Sequence, residues 1–231
     1  MKKQTMQFLY GDRELVLTVK DLLTASVDVI VNPANNSLMH GGGLALQISQ
    51  QAGESLDRES EQLIRQYGQI DTGMAVYTTA GNLPYKAVIH AVGPRMGEGY
   101  EQQKLEQTIL NCLRLCEANC WNSIAFPAIS TGVFQVPVEL CAQAFFRTLT
   151  HYWDARHECD LERIMICLTA THFQSFFDAF REDAIHQQEN HEIGSVMKVK
   201  DDSASESVGY VNLSESDIED ADSDEISDWF K

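Results

Sequence analysis

Short apolar runs alternating with helical patterns constrain this chain more than any other feature. "DVIVN" at 28–32 lacks the polar alternation of a half-exposed strand, and "SIAFPA" at 123–128 is another such buried strand. "MQFLY" and "ELVLTV" read as an opening pair, "MAVYTTA" and "KAVIHAV" as the next strands, and "RIMICL" as the last. Between them, residues 43–67 hold two helical patterns that stop at Gly53 and Gly68. Leu105, Ile109, Leu113 and Cys116 recur at helical spacing in "YEQQKLEQTILNCLRLCEANC". "PVELCAQAFFRTLTHYW" is a helix with proline in its first turn, and "HFQSFFDAFREDA" closes the pattern. Strands alternating with helices predict an α/β fold, a three-layer α/β/α sandwich on a mixed, mostly parallel sheet.

In such sheets ligands bind at the carboxyl ends of the strands. Two loops at that position are unusual. "NPANNSLMHGGGLALQI" places three consecutive glycines after a strand, where a plain connection needs one or two. Three together cost backbone entropy, so bare backbone should be required there. "AFPAISTGVFQVP" places Ser130, Thr131 and Gly132 between a buried strand and a helix. Both loops offer free N–H groups beside a helix N-terminus, a ready anion site, and facing one another they could clamp two adjoining phosphates. Neither is a GxxxxGK[ST] loop and no GxGxxG occurs, which disfavours kinase-like and dinucleotide-redox readings.

Charge and cysteine content narrow the class. The 231 residues carry a net charge of −17. Residues 187–231 hold thirteen Asp and Glu against three Lys, and no basic stripe interrupts the rest. A nucleic-acid groove needs clustered cations, so direct nucleic-acid binding is disfavoured. The tail is too poor in apolar residues to offset its ordering entropy, which predicts disorder from Gln188 onward. Within it, Val208, Tyr210, Val211 and Leu213 precede an acidic, serine-rich run, a pattern that can add a strand to a protein partner's sheet. The absence of an 18-residue apolar run or a signal-type leader predicts no membrane attachment and a cytoplasmic or nuclear protein. Six cysteines suit a reduced compartment. Cys112, Cys116 and Cys120 fall four residues apart on one helical face, and read as buried thiols rather than metal ligands.

"VDVIVNPANNSLMHGGGLALQI", "KAVIHAVGP" and "AFPAISTGVFQVP" resemble, in order, the three signature stretches of the macrodomain family. The resemblance covers roughly residues 10–185. It implies an ADP-ribose-binding domain over 1–187, followed by the acidic tail 188–231. It further implies that Asp21 accepts from the adenine amino group with Leu22 beside it, and that Asn35 bonds the distal ribose. Gly41, Gly42 and Gly43 match the first diphosphate loop. Ser130, Thr131, Gly132, Val133 and Phe134 match the second, with Phe134 as an apolar wall against the distal ribose. Thr169–Thr171 would border the adenine.

Read without the resemblance, Asp21 is a helix cap and Asn35 a turn residue. His40 reads as an exposed loop histidine and His90 as a hydrogen-bonded core histidine. Many hydrolytic members of the family carry an aspartate two residues after the glycine run, where this chain has Ala45. The motif therefore holds no side-chain base. Two functions stay open: hydrolysis of ADP-ribosyl groups, with Asn35 as the candidate catalytic residue, and non-catalytic reading of ADP-ribosylated targets. A nucleic-acid-binding module is a remote third. No cofactor or metal is expected, and the protein is expected to be a monomer.

Overall fold

The computed structural model describes residues 4–10, 13–154, 161–190, 197–198 and 210–211. Seven strands, β1 (Thr5–Tyr10), β2 (Arg13–Val19), β3 (Val29–Pro33), β4 (Ala75–Thr78), β5 (Ala87–Ala91), β6 (Ser123–Phe126) and β7 (Arg163–Leu168), form one sheet. Their order is β1-β2-β7-β6-β3-β5-β4. The inner five run parallel, while β1 and β4 add antiparallel edges. Five helices connect them: α1 (Gly43–Ala52), α2 (Glu54–Tyr67), α3 (Glu101–Ala118), α4 (Val138–Asp154) and α5 (Ala170–Asn190).

Both sheet faces are covered, which explains the unbroken apolar runs. Ile30, Val88 and Met165 pack with Ile48, Ala52 and Leu56 of α1 and α2. Val29, Val31, Ile89 and Ile166 point the other way, into a larger core with Ile109 of α3, Phe145 of α4 and Phe176 of α5. Phe126 meets Phe145 edge-on at 5.2 Å between centroids. The period-two alternation of each strand thus feeds two cores, and the expected three-layer sandwich is the observed fold.

Three details differ from the sequence reading. Cys112 and Cys116 are buried, but Cys120 is exposed. The helix ends at Ala118, and Cys120 sits beyond it with φ 53°, so the four-residue spacing no longer places it on the helix face. Pro137 immediately precedes α4, where its carbonyl accepts from Cys141 N. His40 is half-buried rather than exposed, for the reason given below. Of the region read as a disordered tail, the described residues comprise the end of α5 and a two-stranded antiparallel ladder of β8 (Met197–Lys198) and β9 (Tyr210–Val211). The rest of that region, including Val208 and Leu213, lies outside the described residues.

Candidate functional site

The chain switches direction between β3 and β6. From β3 it crosses to the edge strand β4, turns back into β5 beside β3, and then passes through α3 to β6 on the other side. Such a switch point opens a crevice at the carboxyl ends of the two adjacent strands. The loops leaving β3 and β6 are the two picked out by their composition. Neither contains an acidic residue between 33 and 44 or between 127 and 138, although the chain as a whole is strongly acidic.

The first loop is shaped from within by Asn35. Its Oδ1 accepts from Ser37 N and Met39 N, both at 3.1 Å, and its Nδ2 donates to Met39 O at 2.7 Å. The amide carries a second N–H, which remains available. Asn35 is therefore the turn residue that sequence alone suggests, and it still has one donor to offer. The loop then enters α1 through Gly42 as N-cap, with no side-chain cap bond and no acidic residue in the first turn. The first amides of the helix accordingly lack partners among the described residues and keep their positive dipole end uncompensated.

A methyl group placed on Gly41, Gly42 or Gly43 would meet no atom within 4 Å. Gly43 needs glycine for its φ of +57°, but Gly42 is fully extended at −172°. Nothing in the protein itself requires bare backbone at Gly41 and Gly42. What the glycines preserve is open space over the helix N-terminus. Gly81 is the contrasting case, since a Cβ there would collide with the Ala52 carbonyl.

The second loop is held in a strained shape. Ser130 and Gln135 bracket it with φ of 65° and 58°, conformations that cost a non-glycine residue about 1 kcal/mol or more each. Val136 N bonds Ser130 O and Gln135 N bonds Gly132 O, each at 3.0 Å. Thr131 Oγ1 donates to Ala128 O at 2.9 Å, and the buried Cys141 thiol donates to Ile129 O at 3.3 Å. The N–H groups of Gly132, Val133 and Phe134 donate to no protein atom among the described residues. Val133 is 83% exposed, Gly132 faces open space and Phe134 is half-buried. Ser130 is buried, and its Oγ has no partner among the described residues.

Asp21 and Leu22 leave the end of β2, beside the end of β7, because Val19 pairs in parallel with Leu168. Asp21 caps a 3-10 turn (Leu22–Thr24), accepting from Leu23 N through Oδ1 at 3.0 Å. This is the capping role the sequence allowed, and it leaves Oδ2 outside the cap bond. Leu22 is buried, with its carbonyl accepting from Tyr85 Oη at 3.3 Å. Thr169 emerges at the adjacent end of β7, exposed, with its hydroxyl 2.8 Å from that of Thr171. The residues expected at the two ends of one ligand thus lie along one edge of the sheet.

A buried polar chain lies beneath the first loop. Asn32 Nδ2 lies 3.2 Å from His40 Nδ1 and 3.0 Å from His90 Nδ1. An amide NH2 donates, so both imidazoles accept at Nδ1 and carry their proton on Nε2. His90 Nε2 then donates to Thr78 Oγ1 at 2.9 Å, and His40 Nε2 to Ser60 Oγ at 3.1 Å. The two rings stack at 5.2 Å, which explains why His40 is half-buried. With both nitrogens engaged, His40 is not a free general base. Asn32 Oδ1 remains buried without a partner among the described residues.

Burial, with a smaller contribution from the neighbouring His40, holds the His90 pKa down to about 3. Burial also lowers that of His40, opposed by the Asp57 carboxylate. A histidine neutral when folded takes up a proton only on unfolding, so stability is lost as pH falls below about 6.5. For His90 that loss continues from about pH 6.5 down toward about pH 3. Thermal melts at pH 7 and pH 5 should show a smaller drop for His90→Gln than for the unsubstituted chain. An equal drop would mean that His90 is not the titrating group.

The Macro domain family model matches residues 31–145, which span both loops. An O-acetyl-ADP-ribose deacetylase of Escherichia fergusonii is 46% identical over 149 residues, 64% of this chain and 84% of that protein. An uncharacterized protein of Sulfurisphaera tokodaii is 38% identical over 172 residues, covering 74% and 92%. The chain belongs to the macrodomain family. A macrodomain structure from Oceanobacillus iheyensis with ADP superposes with a TM-score of 0.75 at 26% identity, over 81% of this chain and all of that one.

Ala45, which stands where many hydrolytic macrodomains carry an aspartate, is buried. Among the described residues no group of His, Cys, Asp and Glu could hold a metal ion, and no helix is long and apolar enough to cross a membrane. The Asn32–His40–His90 chain was not foreseen as a unit, because its members are scattered along the sequence. Two further contacts with the second loop had no sequence signal. Met96 N donates to Phe134 O at 2.9 Å, and the Arg95 guanidinium carbon lies 4.0 Å from the centre of the Phe134 ring.

Proposed function

We propose that this macrodomain binds ADP-ribose and ADP-ribosylated targets across the crevice between β3 and β6, and hydrolyses bonds made to the distal ribose. The observation that carries the reading is the pair of backbone amide rows, one at the start of α1 and one over Gly132–Phe134. Both lack protein partners among the described residues, and glycines there face open space. Two such rows suit the two phosphates of a nucleoside diphosphate. The names of the deacetylase relatives support hydrolysis.

In this reading Asn35 offers its spare N–H to the distal ribose, and Phe134 walls that end of the crevice. Ala45 supplies no base and both nitrogens of His40 are engaged, so the chain activates water by position alone. Backbone N–H groups hold the water against the ligand, whose own phosphate accepts the proton. The absent carboxylate keeps a second reading in view, a non-catalytic reader. Incubation with a mono-ADP-ribosylated protein and with O-acetyl-ADP-ribose separates them. Released ADP-ribose supports the hydrolase, and tight binding without release supports the reader.

Asp21→Ala should weaken ADP-ribose binding by about 1–3 kcal/mol, the cost of leaving a buried donor unpaired. Affinity for ribose 5-phosphate, which has no adenine, should not change. Residues 1–187 are assigned to this activity. The acidic tail from 188 is assigned no part in the crevice, because its carboxylates would repel the diphosphate.

A further inference from the structure

The loop after β5 is built against the second amide row. A Cβ at Gly93 would collide with Ser130 Oγ and with the Ile129 side chain, so the backbone of this loop packs directly on side chains that lead into the second. Three residues on, Met96 N donates to Phe134 O. Between these two contacts Arg95 lays its guanidinium over the Phe134 ring, 4.0 Å from its centre.

The acids of this loop and of the first turn of α3 are engaged elsewhere. Glu101 accepts from Gly97 N at 2.7 Å and Gly99 N at 3.0 Å, and Glu98 lies 3.7 Å from Lys104 Nζ. Arg95 is exposed and forms no ion pair among the described residues. Its side chain is therefore ordered by the aromatic face and by nothing else described. A planar cation on one face of a half-buried ring fixes the orientation of the other face.

We propose that Arg95 is a positioning residue that holds Phe134 upright as the distal wall of the crevice, and thereby sets the preference for ligands carrying a distal ribose over those that end at the diphosphate. The inference rests on the ADP-ribose reading of the crevice. It adds that the selectivity of this end depends on a loop contributed by β5, outside both amide rows. The second amide row would bind a diphosphate with or without Arg95, whereas only a distal ribose needs the wall.

The test compares ADP-ribose with ADP by calorimetric titration on the full chain. The unsubstituted protein should bind ADP-ribose more tightly than ADP. Arg95→Ala should lower ADP-ribose affinity about two- to fivefold, the range of an exposed cation–π contact, and leave ADP affinity unchanged. Arg95→Lys, which keeps the charge but loses planar stacking, should fall between. In a Phe134→Leu background, Arg95→Ala should have no further effect, because the partner through which it acts is gone. Equal loss for both ligands, an unchanged ADP-ribose to ADP ratio, or a full effect in the Phe134→Leu background would overturn the inference while leaving the ADP-ribose reading intact. Failure of the unsubstituted protein to prefer ADP-ribose to ADP would overturn that reading itself.

Discussion

Gly42→Glu should abolish ADP-ribose binding while changing fold stability by no more than about 0.5 kcal/mol. Gly42 is extended, so a side chain is not strained there, and a Cβ meets open space rather than protein. The new carboxylate would project where the diphosphate is proposed to lie. Like charges brought together in an interface cost several kcal/mol, which is at least about a hundredfold in affinity. Gly43→Glu should be equally damaging to binding but should also lower the melting temperature, since its φ of +57° disfavours any side chain. Calorimetry and thermal melts on the two variants separate a blocked crevice from a strained loop. Gly42→Glu that still bound ADP-ribose would move the ligand away from α1.

Asn35→Ala should reduce turnover by about a hundredfold or more, the usual loss when one placed donor to a reacting centre is removed. Affinity should fall less. The alanine variant also deletes three bonds that shape the loop, so Asn35→Asp is the informative companion. The aspartate keeps both acceptor bonds from Ser37 N and Met39 N but has no N–H to give the ribose. Turnover as poor in Asn35→Asp as in Asn35→Ala supports the donor role. Restored turnover in Asn35→Asp would reduce Asn35 to a loop former, and hydrolysis that persisted in Asn35→Ala while binding collapsed would reverse the assignment.

The fold was legible because each buried strand announces itself as an unbroken apolar run. Val29, Ile30 and Val31 feed two cores in alternation, so no polar residue interrupts them. Gly53 and Gly68 take φ of 82° and 78° at the ends of α1 and α2, which is why glycine punctuation marked those ends correctly. The first loop was legible for a related reason: Gly41 and Gly42 have no packing duty, and of its three glycines only Gly43 is required by its backbone conformation.

What could not be read were contacts between residues distant in sequence. Asn32 reaches His90 across 58 positions, and Arg95 covers Phe134 with no periodic relation between them. His40 lies in a polar, glycine-rich stretch that suggests exposure, yet its ring stacks on His90 of β5. Cys120 followed the helical period but lies past the point where α3 ends. Asn35 and Asp21 show a different limit. Each performs the bland role that local sequence suggests, and each retains an unused polar group, so the local and the ligand-directed readings do not exclude one another.

In the proposed function the two amide rows form one diphosphate site, with a place for a distal ribose beyond it. Isothermal titration of the full chain with ADP-ribose, with AMP titrated in parallel, tests it most directly. The site described here predicts one-to-one binding of ADP-ribose in the micromolar range, with AMP weaker because it offers one phosphate and no distal ribose. No heat with ADP-ribose, or equal affinity for AMP, would contradict it.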